Sequence, residues 1–159
     1  LERNESKFVS DSRTQQVQIV LPQHANAYKR LFGGVLMQWI DITAAVTARR
    51  HSCTEVTTVR IDTLDFVAPA YVGSTVLLEG CITHVGNTSM EVRVDTYVES
   101  LDGNREHVNR AYVVMVALDD QGKPVKVPGL IPVSDEEKAE WEAGEKRRML
   151  RKQRREEKY

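Results

Sequence analysis

The sequence predicts an α+β fold in which a curled antiparallel sheet wraps one central helix. Three observations point there. A long apolar stretch with helical spacing follows a single short strand. Four β-rich segments then succeed one another, and the connections between the later ones are too short for crossovers, which makes an antiparallel meander. The charged tail opens on a helix-capping pattern.

Taken in order, Thr14 to Leu21 (TQQVQIVL) alternates polar and apolar residues and reads as a strand, which Pro22 ends because it has no ladder N–H. Gln23 to Phe32 has no clean period and reads as a loop. From Gly34 to about Arg50, Val35, Leu36, Trp39, Ile40, Thr43 and Val46 form one broad apolar stripe, so a helix is expected. Val56 to Val67 is rich in Val, Thr and Ile and reads as a strand closed by Pro69 and Gly73. Thr75 to Val85 is the next, with Gly80 a candidate bulge. Gly86-Asn87 makes a hairpin turn into Ser89 to Ser100. There Met90, Val92, Val94, Thr96 and Val98 share one face, and Glu91, Arg93, Asp95, Tyr97 and Glu99 the other. His107 to Leu118 returns after a turn at Asp102-Gly103-Asn104, and Asp120-Gln121-Gly122 is a further loop. In the tail, Ser134 with Glu137 three residues on is a capping box, and acids precede bases as the helix dipole favours.

A chain of 159 residues is read as one core domain over 14–132, with an N-terminal extension over 1–13, free to be flexible, and a charged C-terminal helix over 133–159. Apolar and charged fractions of 41% and 28% are ordinary for a soluble globular protein. No apolar run approaches the roughly 18 residues of a membrane span. The polar start lacks a signal-peptide core, so a cytoplasmic location is expected. With no initiator Met, the first residues carry no functional weight. A formal charge of −1 argues against a nucleic-acid footprint across the whole chain. It conceals an acidic stretch from Asp135 to Glu145 and a basic one from Lys146 to Arg155. Cys53 and Cys81 lie far apart without metal-like spacing, and reduced thiols are the simpler reading.

Asp41 is the first candidate for chemistry. It is either a solvent-facing acid or a working carboxylate. Its neighbours at helical spacing, Met37, Ala44, Ala45 and Ala48, bear no charge, and Arg49 is two turns away. Gly33-Gly34 is either a flexible loop end or a place where a substrate reaches backbone N–H groups at the helix start. Those donors, backed by the dipole, suit a developing oxyanion. Asp41 lies two turns further on, about 10 Å by helix rise, so base and oxyanion donor on one helix do not meet directly. Asn26 and His24 are the other polar candidates nearby. His51, His84 and His107 share no metal-ligand spacing. No nucleophile elbow, P-loop or dinucleotide fingerprint is present.

The segments HANAYKRLFGGVLMQWIDITAA, DFVAPAYVGSTVLLEGCITHVGNTSMEVRVD and AYVVMVALDDQGKPVKVPGL resemble, in matching order from about residue 20 to 132, the acyl-CoA thioesterases of the cytosolic acyl-CoA hydrolase type. These are hotdog-fold proteins. The resemblance implies hydrolysis of fatty acyl-CoA to free acid and CoA without metal or cofactor. It further implies active sites between subunits of dimers, frequently assembled into hexamers. No nucleic-acid or membrane partner is expected, given the near-neutral charge and the lack of a long apolar run. By similarity, Asp41 activates water or attacks the thioester, Gly34 offers its N–H to the thioester oxygen, and Asn26 acts from the partner subunit. The turn VGNTSMEVR resembles the family's CoA-binding turn, which makes Gly86, Asn87, Thr88 and Ser89 candidate CoA contacts. The sequence departs from the family there: Asn87 stands where a basic residue commonly follows the glycine, and Arg93 is the candidate replacement charge. It departs again at Tyr28-Lys29-Arg30, where the family has a smaller, glycine-containing stretch. Lys29 and Arg30 either reach CoA phosphates or face water. The basic tail is a solvated helix face, a phosphate-attracting patch or an oligomer contact. Two other functions stay open: a hydroxyacyl-thioester dehydratase using His24, and a non-catalytic acyl-CoA-binding regulator.

Overall fold

The computed structural model describes residues 5–158; residues 1–4 of the N-terminal extension and Tyr159 lie outside the described residues. In chain order the elements are β1 (Lys7–Phe8), β2 (Thr14–Ile19), α1 (Gly33–Ser52), β3 (Glu55–Asp62), β4 (Thr75–Val85), β5 (Ser89–Glu99), β6 (Arg105–Leu118), β7 (Leu130–Ile131) and α2 (Asp135–Glu156). Five strands form one antiparallel sheet in the order β2-β4-β5-β6-β3, curled around α1. This is the α+β architecture expected from the sequence. β1 pairs in parallel with β7, so residues just ahead of β2 are tied to the segment leading into α2.

The core is the contact between α1 and the inner face of the sheet. Leu36, Trp39, Ile40, Ala44 and Ala48 pack against Val76, Leu78, Ile82, Met90, Val92, Val94, Val113 and Met115. Ile40 is fully buried, and truncating such a residue to Ala costs about 2–5 kcal/mol. Gly80 is not a bulge. It pairs in register with Thr14, and a Cβ there would lie 2.6 Å from Thr47 Oγ1, so the glycine lets α1 press onto β4. The irregularity in β4 falls instead between Ile82 and His84. β3 is shorter than the Val56 to Val67 reading. Its ladder ends at Asp62 opposite Tyr112, and Thr63 takes a left-handed φ of 52°, which no extended strand allows. The following segment is instead held by Val67 N–H to the Val108 carbonyl and by Asn109 Nδ2 to the Asp65 carbonyl.

The alternation along β5 places residues as expected, but its polar face is not left to water. α2 lies across it, started by the capping box: Ser134 Oγ accepts from Glu137 N–H, and Glu137 Oε2 accepts from Ser134 N–H. Burial of Gly144 brings α2 close, since a Cβ there would lie 2.7 Å from His84 Cβ. Beneath the helix, Glu91 receives Thr83 Oγ1, both Arg147 Nε and Nη2, and Arg151 Nη1. Burial pushes the Glu91 carboxyl up, but these donors outweigh it and hold the group below the usual glutamate value.

Candidate active site

α1 starts without a side-chain cap. The Phe32 carbonyl accepts from Val35 and Leu36 N–H, and the N–H groups of Gly33 and Gly34 have no acceptor among the described residues. They are the free donors of a helix N-terminus, with the dipole behind them. A Cβ on Gly34 would lie 2.7 Å from the Phe32 ring, so glycine keeps this end open.

The loop before α1 is tied down around Asn26. Its Oδ1 accepts from Tyr28 and Arg30 N–H, and its own N–H donates to the Arg30 carbonyl. Lys29 takes a left-handed φ of 58° to close this turn. With Oδ1 used, the Asn26 amide NH₂ remains as a donor without an acceptor among the described residues. Asn26, Gly33 and Leu36 line one cavity of about 320 Å³, whose other walls include Phe66, Val67 and Pro69. The departure of the chain from β3 after Asp62 thus builds an apolar wall opposite the helix start. Arg30 lines the same cavity, and its guanidinium lies over the Tyr71 ring at 5.8 Å.

Asp41 is half-buried on α1 at the side facing β3. Thr58 Oγ1 donates to Asp41 Oδ1 at 2.6 Å, and Oδ2 has no partner among the described residues. Thr58 immediately precedes a register shift in β3, which is an edge of the sheet. The structure therefore brings Asn26 and Gly33 to one cavity, with Gly34 the next residue of α1 but outside its lining, and leaves Asp41 apart, two turns along α1 beside the edge strand. Thr58 is a residue that sequence reasoning missed. In EVTTVR it is one more β-branched strand residue, and nothing local announces its bond to a carboxylate 17 positions earlier.

His24 does not stand free as a catalyst. Its Nδ1 accepts from Leu21 N–H, and its ring packs edge-on against Trp39 at 5.2 Å between centroids. The imidazole closes the turn ahead of Asn26.

At the β4–β5 turn, Gly86 N–H donates to the Ser89 carbonyl, and Gly86, Asn87, Thr88 and Ser89 are partly or fully exposed. Arg93 is not brought to them. Its side chain is 12% exposed beneath α2 and lies 3.0 Å from Asp95, 3.3 Å from Glu136 and 3.5 Å from Glu140. The replacement charge expected at Arg93 is thus spent on carboxylates. Alternation sends residue 93 to the same outer face as Glu91 and Asp95, where α2 packs. Cys53 and Cys81 are both free thiols, and burial pushes the Cys81 thiol up, away from nucleophilic use. Among the described residues no group of three or more His, Cys, Asp or Glu is placed to hold a metal ion, and no helix is long and apolar enough to cross a membrane.

Residues 28–102 match the Thioesterase superfamily. The chain is 39% identical over 138 residues to an uncharacterized acyl-CoA thioester hydrolase, YkhA, of Bacillus subtilis, covering 86% of this chain and 80% of that protein. It is 30% identical to the cytosolic acyl coenzyme A thioester hydrolase of Rattus norvegicus over 95% of this chain, but spans only 40% of that longer protein. Among solved structures, the acyl-CoA hydrolase of Staphylococcus aureus in complex with butyryl coenzyme A, coenzyme A and coenzyme A disulfide superposes with a TM-score of 0.91 at 35% identity, covering 96% of this chain and 94% of that one. Alanine variants of the same enzyme at an aspartate, a threonine and an asparagine superpose with TM-scores of 0.92, 0.91 and 0.93. A hexameric thioesterase from Yersinia pestis matches 72% of this chain and 93% of its own, at 32% identity and a TM-score of 0.68.

Proposed function

Since the chain belongs to the thioesterase superfamily, we propose that it hydrolyses fatty acyl-CoA to free acid and CoA at a site shared between two subunits. The thioester carbonyl oxygen accepts from Gly34 N–H, whose dipole-backed donor strengthens as negative charge develops there. The Asn26 amide supplies a second donor to the same thioester. Asp41 of the other subunit takes a proton from water through its free Oδ2, and the resulting hydroxide adds to the carbonyl carbon. Collapse of the tetrahedral oxyanion breaks the C–S bond, and the proton passes to the departing thiolate. If the carboxylate attacks directly instead, an acyl-aspartyl anhydride forms with loss of CoA, and water then adds to its aspartyl carbonyl and releases the fatty acid. Single turnover in ¹⁸O-water separates the routes, because only the second carries label into Asp41.

One observation carries the residue assignment. In the Staphylococcus aureus enzyme the asparagine, aspartate and threonine chosen for alanine variants are separated by 15 and then 17 residues, and Asn26, Asp41 and Thr58 here have the same separations. The roughly 10 Å of helix between Gly34 and Asp41 fits a site completed by a second chain. So does the place of Asp41 beside the edge strand β3, whose unpaired backbone is open to another copy. A dimer, or a trimer of such dimers, follows from this reading, and hexameric thioesterases are among the similar solved structures. Catalysis needs no metal or cofactor, and the working compartment is the cytoplasm.

Thiol release from a panel of acyl-CoA chain lengths, with Asp41→Asn beside wild type, tests the activity. A folded, fully active Asp41→Asn removes the carboxylate from the mechanism. Mixing inactive Asp41→Ala and Asn26→Ala chains should restore part of the activity. No recovery after verified subunit exchange counts against the shared site.

A further inference from the structure

α2 sorts its arginines by face. Arg147 and Arg151 turn inward: Arg147 to Glu91 and over the Tyr112 ring at 3.8 Å, Arg151 to Glu91 and Asp62. Arg148, Lys152 and Arg155 occupy another face at spacings of four and three, spanning about 10 Å of helix. None of these three has a carboxylate partner among the described residues. Of the two acids in the same groove, Glu145 receives His84 Nε2 at 2.7 Å, and Glu156 makes no ion pair among the described residues, so two carboxylates face three cations there. With Glu145, Met149 and Glu156, the three cations line one open groove.

The near end of this stripe touches the β4–β5 turn. A Cβ on Gly86 would lie 3.1 Å from Arg148 Nη2 and 3.2 Å from Cζ, so the missing side chain lets the guanidinium settle against the turn. The carbonyls of Asn87 and Thr88 are used, accepting from Val127 and Ala117 N–H. The N–H groups of Asn87 and Thr88 have no acceptor among the described residues. Two successive free backbone donors beside an uncommitted guanidinium are the chemistry of a phosphate site.

We propose that the Arg148–Lys152–Arg155 stripe of α2 holds the phosphorylated nucleotide end of CoA beside the Gly86–Ser89 turn, the CoA contact that the resemblance already implies. Arg148 takes the place of the positive charge that Asn87 does not carry and Arg93 cannot deliver. The proposal rests on the reading of acyl-CoA as substrate. It assigns the terminal helix a role in substrate selection: the helix is docked by one set of arginines and binds with another.

The test compares wild type, Arg148→Ala and Arg148→Lys in two measurements. Calorimetric titration with CoA should show Kd rising about tenfold in Arg148→Ala, equivalent to about 1.4 kcal/mol, with part regained in Arg148→Lys. For thiol release, the ratio of kcat/KM on butyryl-CoA to that on butyryl-pantetheine, which lacks every phosphate, should fall by a similar factor. Arg148 is exposed and unpaired, so the variants should melt with wild type. Wild-type affinity for CoA in Arg148→Ala, or equal losses on both substrates, overturns the proposal. If wild type releases no thiol from either substrate yet binds CoA through Arg148, hydrolysis fails and the nucleotide site stands. If wild type turns over and Arg148 is indifferent, the reverse holds. Absence of CoA binding by wild type overturns the nucleotide site outright.

Discussion

Thr58→Val replaces a hydroxyl by a methyl of nearly the same shape and deletes one interaction with the candidate base. The bond lost is the 2.6 Å contact to Asp41 Oδ1, a short hydrogen bond to a carboxylate. Hydrogen bonds to charged groups are worth about 1.5–3 kcal/mol, and the exposure of Thr58 favours the low end. If that bond orients the carboxylate, about 1.5 kcal/mol is lost in the transition state, or roughly tenfold in kcat/KM. Valine suits an edge strand, and Thr58 carries little buried packing, so the melting temperature should move little. The assay is steady-state thiol release with wild type, Thr58→Val, Thr58→Ser, Asp41→Asn and the Thr58→Val/Asp41→Asn double variant. Serine should retain most of the rate, and in the double variant the loss of Thr58 should cost nothing further, because the bond acts only through Asp41. A Thr58→Val enzyme as active as wild type, or one whose loss simply adds to that of Asp41→Asn, refutes the positioning role.

Gly34→Ala and Gly34→Pro both add the Cβ that meets the Phe32 ring, but only proline removes the N–H. That N–H makes no intrahelical bond and proline is tolerated in the first helical turn, so Gly34→Pro should fold and lose about 10²–10³ in kcat, with Gly34→Ala far closer to wild type. Glu91→Gln should cost about 3 kcal/mol at pH 7 by unbalancing Arg147 and Arg151 under α2, read by chemical denaturation. Because the folded-state pKa of Glu91 lies below its unfolded value, its contribution is complete above the unfolded pKa and lost as pH falls through the lower folded one. Wild type should therefore lose more stability than Glu91→Gln between about pH 5 and pH 3. Gly144→Val should lower the melting temperature by an amount corresponding to about 1–3 kcal/mol, since its Cβ would lie 2.7 Å from His84 Cβ and α2 must lift.

Much of the fold was legible because its periodicities are local. The α1 stripe of Leu36, Trp39, Ile40 and Thr43 is buried as its spacing implies, and the Ser134–Glu137 capping box starts α2. Gly80 was misread because a glycine in a strand signals either a bulge or a close approach, and only the position of Thr43 and Thr47 on α1 decides between them. In β2 the alternation is plain, yet its inward residue Gln16 meets Thr43 while Val17 and Ile19 stay exposed, an orientation set by the helix and not by hydrophobicity. Of the candidate site, Asp41 and Gly34 stood out as residues out of keeping with their surroundings, whereas Asn26 was one of two polar loop residues and took its role from the resemblance alone. Thr58 did not, because a threonine in a strand is ordinary until its partner is known.

The sequence by itself determined the five main strands, the two helices, their order and the family, though not the β1–β7 pair or the end of β3, since each rests on patterns within one segment or on segments recurring in a matching series. Tertiary structure alone decided which charges are free. Arg93 was the natural stand-in beside the β4–β5 turn, but strand alternation carries it under α2 into three carboxylates. Arg148 is distant in sequence, and the crossing of α2 sets it against Gly86 with no ion-pair partner among the described residues. Charge in a sequence is only a count; its availability depends on which groups the packed chain has already paired.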